Sequence, residues 1–261
     1  MIEDLKILAH KIVDSVERKI KKASKTDMYK FGNNIGLGAD GTVTKYIDKL
    51  AEDVAIRIFN KSKLKVNLLS EEIGFLDRGG EYTFVLDPID GTRNAYRGIP
   101  FYSVSLAIGK KKLSDIEYGI VKNIPTGDLF IAEKGFGAFL NKKQFGVPEV
   151  PDKEILTSIS LGKNSNKFAI NLAKKDKVRS LGSASLEMCM VATGGLDYYI
   201  VGKDFIRIID IAASTLILRE AGGVVTDIYG NELDMEFSLD EKSSVIAACN
   251  LDLVKKISLK N

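Results

Sequence analysis

The chain has 261 residues, 45% of them hydrophobic and 28% charged, with 38 basic side chains against 35 acidic and a formal net charge of +3. That balance fits a soluble globular protein of one or two domains, and it makes neither nucleic acid nor a membrane an expected partner. Apolar runs such as 54–59 and 196–201 are far shorter than the roughly 20 residues a membrane-crossing helix needs, and the charged start Met1-Ile2-Glu3-Asp4-Leu5-Lys6 has no secretory apolar core, so a cytoplasmic location is expected.

Leu5, Leu8, Ile12, Val16 and Ile20 recur at helical spacing and predict a helix over residues 4–22. The single histidine, His10, lies inside it and is expected to be a surface residue rather than a catalyst. A glycine-rich stretch, 32–41, reads as a mobile loop, and 44–59 reads as a second helix with Ile47, Leu50, Val54 and Ile58 on one face. Short strands are expected at 66–69 and 82–86, followed by successive antiparallel strands at 103–108, 116–121 and 128–133 and a hairpin from residue 135. Pro148 and Pro151 mark a change of character. Beyond them strands and helices alternate, with Gly194-Gly195 and Gly222-Gly223 as helix stops. The expectation is two lobes, 1–147 and 148–261, with a site in the cleft between them. Cys189 and Cys249 sit in apolar runs and are expected as buried thiols; no Cys/His spacing suits zinc.

Acidic residues recur where strands end. Glu71 and Glu72 follow the strand at 66–69, Asp87 follows the strand at 82–86, and Asp90 comes three residues later, after a proline expected to stop the strand. One such residue is normally a cap or a turn. Four at neighbouring strand exits repel one another and call for a cation, and Mg²⁺ favours oxygen ligands. Gly91-Thr92 then permits a close backbone approach and a helix start suited to phosphate, or a simple threonine cap. Asp210 is expected to end a strand at 205–209 and open a helix at 211–221, as an N-cap or as a carboxylate reaching across the cleft.

Asp87-Pro88-Ile89-Asp90-Gly91-Thr92 resembles the signature of the inositol monophosphatase superfamily. Ile209-Asp210-Ile211-Ala212-Ala213 with Glu220-Ala221-Gly222-Gly223 resembles its second signature, and Ser70-Glu71-Glu72, the 48–52 helix segment and 179–195 fall in the matching order. The resemblance implies an α+β fold layered αβαβα and removal of phosphate from small phosphomonoesters. Glu71, Asp87 and the Ile89 carbonyl would hold a first Mg²⁺, and Asp87, Asp90 and Asp210 a second. A third ion would sit near Glu71 with support from Asp40, and Mn²⁺ could substitute. Thr92 and Asp48 would activate the attacking water with help from Glu72, the amides of Gly91 and Thr92 would bind phosphate, and Gly182, Ser183 and Ala184 would line the sugar pocket.

Where animal enzymes of this superfamily place an acidic residue seven positions before the second-signature aspartate, this chain has Lys203, and Arg207 follows. A basic pair suits a second substrate phosphate, and the segment is similar to that of archaeal-type enzymes acting on both fructose 1,6-bisphosphate and inositol 1-phosphate. Solvated loop charges are the plain alternative. A phosphatase acting on 3′-phosphoadenosine 5′-phosphate or NADP, and an inert sugar-phosphate-binding regulator, are the competing functional readings. The resemblance also implies a homodimer. Arg93 and Arg97 are expected to face solvent.

Overall fold

The computed structural model describes residues 1–38, 41, 43–149, 154–160 and 167–258, except for the side chains of 167–169, 203 and 204. Asp40 and the side chain of Lys203 therefore lie outside the described residues. Apolar residues three and four apart give helix α1 (Ile2–Thr26) one buried stripe, Leu5, Leu8, Ile12, Val16 and Ile20 among it. The stretch expected as a loop instead pairs as an antiparallel ribbon, β1 (Asn34–Leu37) with β2 (Val43–Lys45). All of β1 is exposed, so backbone pairing holds it and no hydrophobic alternation announces it.

Helix α2 (Tyr46–Lys61) begins two residues later than the pattern suggests. Lys45 is extended, and its amide donates to the Asp48 side chain at 3.0 Å, closing the first turn. Next come β3 (Asn67–Ser70), β4 (Gly74–Leu76) and β5 (Thr83–Asp90), then helix α3 (Thr92–Arg97). Strands β6 (Ser103–Gly109), β7 (Tyr118–Asn123), β8 (Leu129–Glu133), β9 (Gly137–Leu140) and β10 (Lys143–Phe145) follow as a meander. The resulting sheet has eight strands in the order β10-β9-β8-β7-β6-β5-β3-β4. Only the β3–β5 pairing within it is parallel.

After residue 153 come β11 (Leu156–Ser160), α4 (Lys167–Ala173), β12 (Lys177–Arg179), α5 (Ala184–Ala192) and β13 (Tyr198–Ile206). Then follow α6 (Ile208–Glu220), β14 (Val224–Thr226), β15 (Ser243–Ala248) and α7 (Leu251–Ile257). These strands make a second sheet in the order β12-β11-β13-β15-β14.

Helices α1 and α2 cover one face of the large sheet, α5 and α6 fill the space between the two sheets, and α7 packs on β14 and β15. The layering is the αβαβα sandwich. Its largest apolar cluster joins Val85, Ala107 and Val121 of the large sheet to α5, α6 and the small sheet, so both halves of the chain share one core. Being covered on two sides, α6 buries Ile208, Ile209 and every residue from Ile211 to Leu218, with no polar stripe. A Cβ on Gly119 of β7 would stand 2.8 Å from the Ala213 carbonyl oxygen, so glycine is what lets α6 lie this close to the sheet.

Two expected boundaries shift at the cleft. Pro88 does not stop β5. The strand continues to Asp90 through a register irregularity, with Asp87 opposite Ser105 and Asp90 opposite Ser103. A bulge accommodates a residue that has no N–H to give to the ladder. Helix α6 begins at Ile208, before Asp210, which is its third residue rather than its N-cap; Arg207 is the N-cap and its amide donates to Asp210 Oδ2 at 2.9 Å. Both Cys189 and Cys249 are buried free thiols, as expected. His10 is partly buried, its Nε2 2.9 Å from the Tyr118 hydroxyl, and burial lowers its pKa. No helix among the described residues is long and apolar enough to cross a membrane.

Candidate active site

The bulge in β5 brings Asp87 and Asp90 to the end of the strand, beside Glu71 and Glu72, which leave the parallel neighbour β3. Asp87 is 2% exposed and its side chain accepts the Ile89 amide at 3.0 Å. Burial, then the charges of Glu71, Asp90 and Asp210, push its carboxyl well above the usual range, while Arg207 pulls it down.

Gly91 follows with φ +91, and a Cβ there would stand 3.1 Å from the carbonyl oxygens of both Gly182 and Phe101. Only glycine meets both demands. It opens α3, whose first residue, Thr92, turns its hydroxyl to Asp48 Oδ1 at 2.8 Å and to the Ile89 carbonyl at 3.1 Å. One hydroxyl proton cannot satisfy both acceptors fully; the shorter bond to the carboxylate is the stronger. Asp48 thus closes the first turn of α2 with one oxygen and holds Thr92 with the other. Burial raises its pKa to about 6, against the pull of Thr92 and of the Lys45 amide. Glu72 accepts the Thr44 hydroxyl.

Asp90 is handled differently. Its Oδ2 accepts Ser183 Oγ at 2.6 Å, the Ser185 amide at 2.8 Å and the Ser185 hydroxyl, and its Oδ1 accepts the Ala184 amide at 3.2 Å. Asp90 is therefore seated on the first turn of α5, although burial and the Asp210 charge still raise its pKa. Asp210 receives Arg207 Nη2 at 3.0 Å and Nε at 3.3 Å, and Glu71 receives Arg207 Nη1 at 2.9 Å. Arg207, expected to suit a second substrate phosphate, lines the larger cavity and bridges two carboxylates from opposite sides of the cleft. Arg93 and Arg97 are exposed, as expected.

The cleft holds two adjoining cavities that share Glu71. The smaller, about 180 Å³, is lined by Asp48, Glu72, Thr92 and Arg93 among others. The larger, about 440 Å³, is lined by Asp90, Gly182, Ala184, Arg207 and Asp210 among others. Ser183 lies just beneath, 1% exposed, with its hydroxyl on Asp90.

Five residues with no role expected from sequence complete the frame. Ser185 is the second hydroxyl on Asp90, and Ser103, opposite Asp90 in the sheet, lies 2.8 Å from it. Asn94 gives its amide to Phe101 O at 2.8 Å and Leu181 O at 2.6 Å, tying α3 to the loop before α5. Glu187 accepts the Leu181 and Gly182 amides and the Ser158 hydroxyl, and burial raises its pKa. Glu52 is 1% exposed, accepts Ser70 Oγ at 2.7 Å, and is raised by burial to about 7. The signal for Glu187 was present: it is the one acid of an otherwise apolar helix, α5.

Among the described residues no three His, Cys, Asp or Glu side chains converge on one ion-sized point. Arg207 lies against Glu71 and Asp210, and Asp90 faces α5. The donor chemistry nevertheless fits a hard divalent cation. All the candidate ligands are oxygens, Asp87 is held among three like charges, and Ser105 Oγ, opposite Asp87 on β6, is buried without a hydrogen-bond partner among the described residues.

Buried carboxylates at a bulged strand end, a threonine on an aspartate, and a layered αβαβα sandwich define a phosphomonoesterase of the carboxylate-site class. The family model of the inositol monophosphatase family matches residues 2–258, and the chain belongs to that family. It is a phosphatase of that superfamily, whose members are generally metal-dependent. It is 39% identical to the fructose-1,6-bisphosphatase/inositol-1-monophosphatase of Methanothermobacter thermautotrophicus, over 96% of this chain and 94% of that protein. It is also 39% identical to the bifunctional NADP phosphatase/NAD kinase of Methanococcus maripaludis, over 97% of this chain but 48% of that longer protein. A solved structure of a Pyrococcus horikoshii protein with similarities to inositol-1 monophosphatase superposes with a TM-score of 0.86 at 32% identity, covering 100% of both chains.

Proposed function

We propose that this chain hydrolyses fructose 1,6-bisphosphate and inositol 1-phosphate with Mg²⁺, using the smaller cavity to prepare water and the larger to seat the sugar. The observation that carries the reading is the Thr92–Asp48 hydrogen bond, 2.8 Å, beside the buried carboxylates. Glu71, Asp87, the Ile89 carbonyl, Asp90 and Asp210 would hold two or three ions, Mg²⁺ or Mn²⁺. Bound there, the metal would acidify water and neutralise charge on the phosphoryl and leaving oxygens.

The chain's own residues do the rest. Asp48 takes a proton relayed through the Thr92 hydroxyl, with Glu72 beside them in the same cavity. The Gly91 and Thr92 amides bind the phosphate, and Gly182, Ser183 and Ala184 shape the sugar pocket. Because Asp90 is bonded to Ser183 and Ser185, sugar pocket and reaction centre are fixed to each other.

A second reading, an NADP phosphatase, has one observation in its favour. Phe205, 57% exposed, lines the larger cavity and offers a flat face to a base. A panel of fructose 1,6-bisphosphate, inositol 1-phosphate and NADP, each with Mg²⁺ and with chelator, separates the readings. Chelator-sensitive phosphate release from the first two is expected. Release from NADP alone overturns the proposal, and release from none leaves an inert binder. The proposal includes a homodimer, which sedimentation of the purified chain checks.

A further inference from the structure

We infer that Lys242 binds the second, non-reacting phosphate of a bisphosphorylated substrate in the larger cavity. The inference rests on that cavity being the substrate site. The cavity, about 440 Å³, is lined among the described residues by the acids Glu71, Asp90, Glu187 and Asp210 and by the cations Arg207 and Lys242. A bisphosphate brings two multiply charged groups into an already acidic space, and each needs a cation. The reacting phosphate would lie at the carboxylates and a metal held there. For the other, Arg207 is committed: Nε, Nη1 and Nη2 all donate to Asp210 or Glu71. Held between Asp210 and Glu71, it sits at the carboxylate end of the cavity.

Lys242 carries no such debt. It is exposed, and among the described residues it makes no hydrogen bond or ion pair through its side chain. Its position follows from strand register. Strands β13 and β15 are antiparallel with Ile206 opposite Ser243, so one step further sets Arg207 beside Lys242 at the end of the pair. Lys242 therefore stems from the cavity rim next to the residue that holds the reaction-centre carboxylates. Phe205, Ile206 and Leu239 line the same cavity and supply apolar contact for the ring between the two phosphates. A flexible stem ending in a point charge with three donors suits a phosphate that must be held but not oriented for reaction. Lysine at this rim thus selects substrates by the presence of a second anionic group.

The test uses the full chain with Mg²⁺ and p-nitrophenyl phosphate as reporter substrate. Competitive inhibition constants are measured for fructose 1,6-bisphosphate and for inositol 1-phosphate, which has no second phosphate. Lys242→Met is expected to weaken fructose 1,6-bisphosphate about tenfold, the loss of one charge-assisted contact, and to change inositol 1-phosphate by less than about twofold. Lys242→Arg should restore most of the difference. An unchanged constant for fructose 1,6-bisphosphate, or an equal weakening of both ligands, overturns the assignment. Phosphate release from fructose 1,6-bisphosphate by the unaltered chain is followed in parallel. Its absence overturns the turnover proposal above while the inhibition constants still decide Lys242.

Discussion

The two sides of the cleft treat their carboxylates in opposite ways. On the large-sheet side, Asp87 is buried among Glu71, Asp90 and Asp210, and burial with repulsion raises its pKa. Where carboxylates meet the small-sheet side the chain itself supplies the compensation: hydroxyls and amides of α5 for Asp90, which reaches over from β5, and the Arg207 guanidinium for Asp210. The difference separates two tasks. The second side builds a rigid frame that is stable alone. The first stores unfavourable charge that a cation held there, as proposed, would relieve, so its cost in stability would be the source of its affinity.

The largest effect that would break this contrast is at Asp87. Asp87→Asn should lower metal-supported turnover by on the order of 10³-fold or more, since on the proposed function it would remove a shared ligand and several kcal/mol of charge stabilisation with it. In chelator the same variant should be at least as stable as the unaltered chain, because a repelled buried charge is gone. A loss of stability in denaturant titration would show that Asp87 is not strained. Next comes Thr92→Ala, with a loss of about 10²–10⁴-fold in kcat and little change in metal affinity, whereas Thr92→Ser should keep most activity.

The frame side is probed by Arg207→Met. Removing one partner of this ion-pair bridge should cost about 3 kcal/mol in chelator, measured by chemical denaturation. Added Mg²⁺ should recover part of it, because the ion takes over the charge of Glu71 and Asp210. Equal costs with and without metal would mean that the arginine and the ion do not share partners.

The smallest effect is at Asp48. Its pKa is about 6 in the fold against an ordinary 3.8, so between those values the folded chain holds a proton that the unfolded chain has released. Stability therefore falls as pH rises through that window and levels off above it. Asp48→Asn should be about 2 kcal/mol more stable than the unaltered chain at pH 8 and lose that advantage near pH 4. In the unaltered enzyme kcat/KM should fall as pH drops through about 6, as the base is protonated. A pH-independent difference in stability would remove the strain argument.

The outer layer was the most legible in sequence. Helix α1 faces solvent on one side, so Leu5, Leu8 and Ile12 keep a period that a reader can find. Helix α6 has none, since both faces are covered, and it starts three residues ahead of the expected 211. The motif 87–92 announced its chemistry through residue type alone, but not the bulge that aims it. Arg207 could be placed near the acids from its spacing, and only the packing of β3 against β5 shows that Glu71 comes within its reach. Ser185 and Asn94 act across the chain through hydrogen bonds to partners more than eighty residues away or on another element, and such partners leave no period or motif behind.

Gly91 and Gly182 meet without a side chain between them. Rotamer changes can widen or narrow a cleft whose walls are side chains, but here a Cβ on Gly91 would already stand 3.1 Å from the Gly182 carbonyl oxygen, so the spacing is set by backbone. The gap at that point is a fixed gauge, indifferent to which substrate enters. Adaptation to larger or smaller ligands is left to the rim, where the loop before β15 and the end of β13 carry the exchangeable residues, so new specificities in this scaffold would arise by altering the mouth while the throat stays constant.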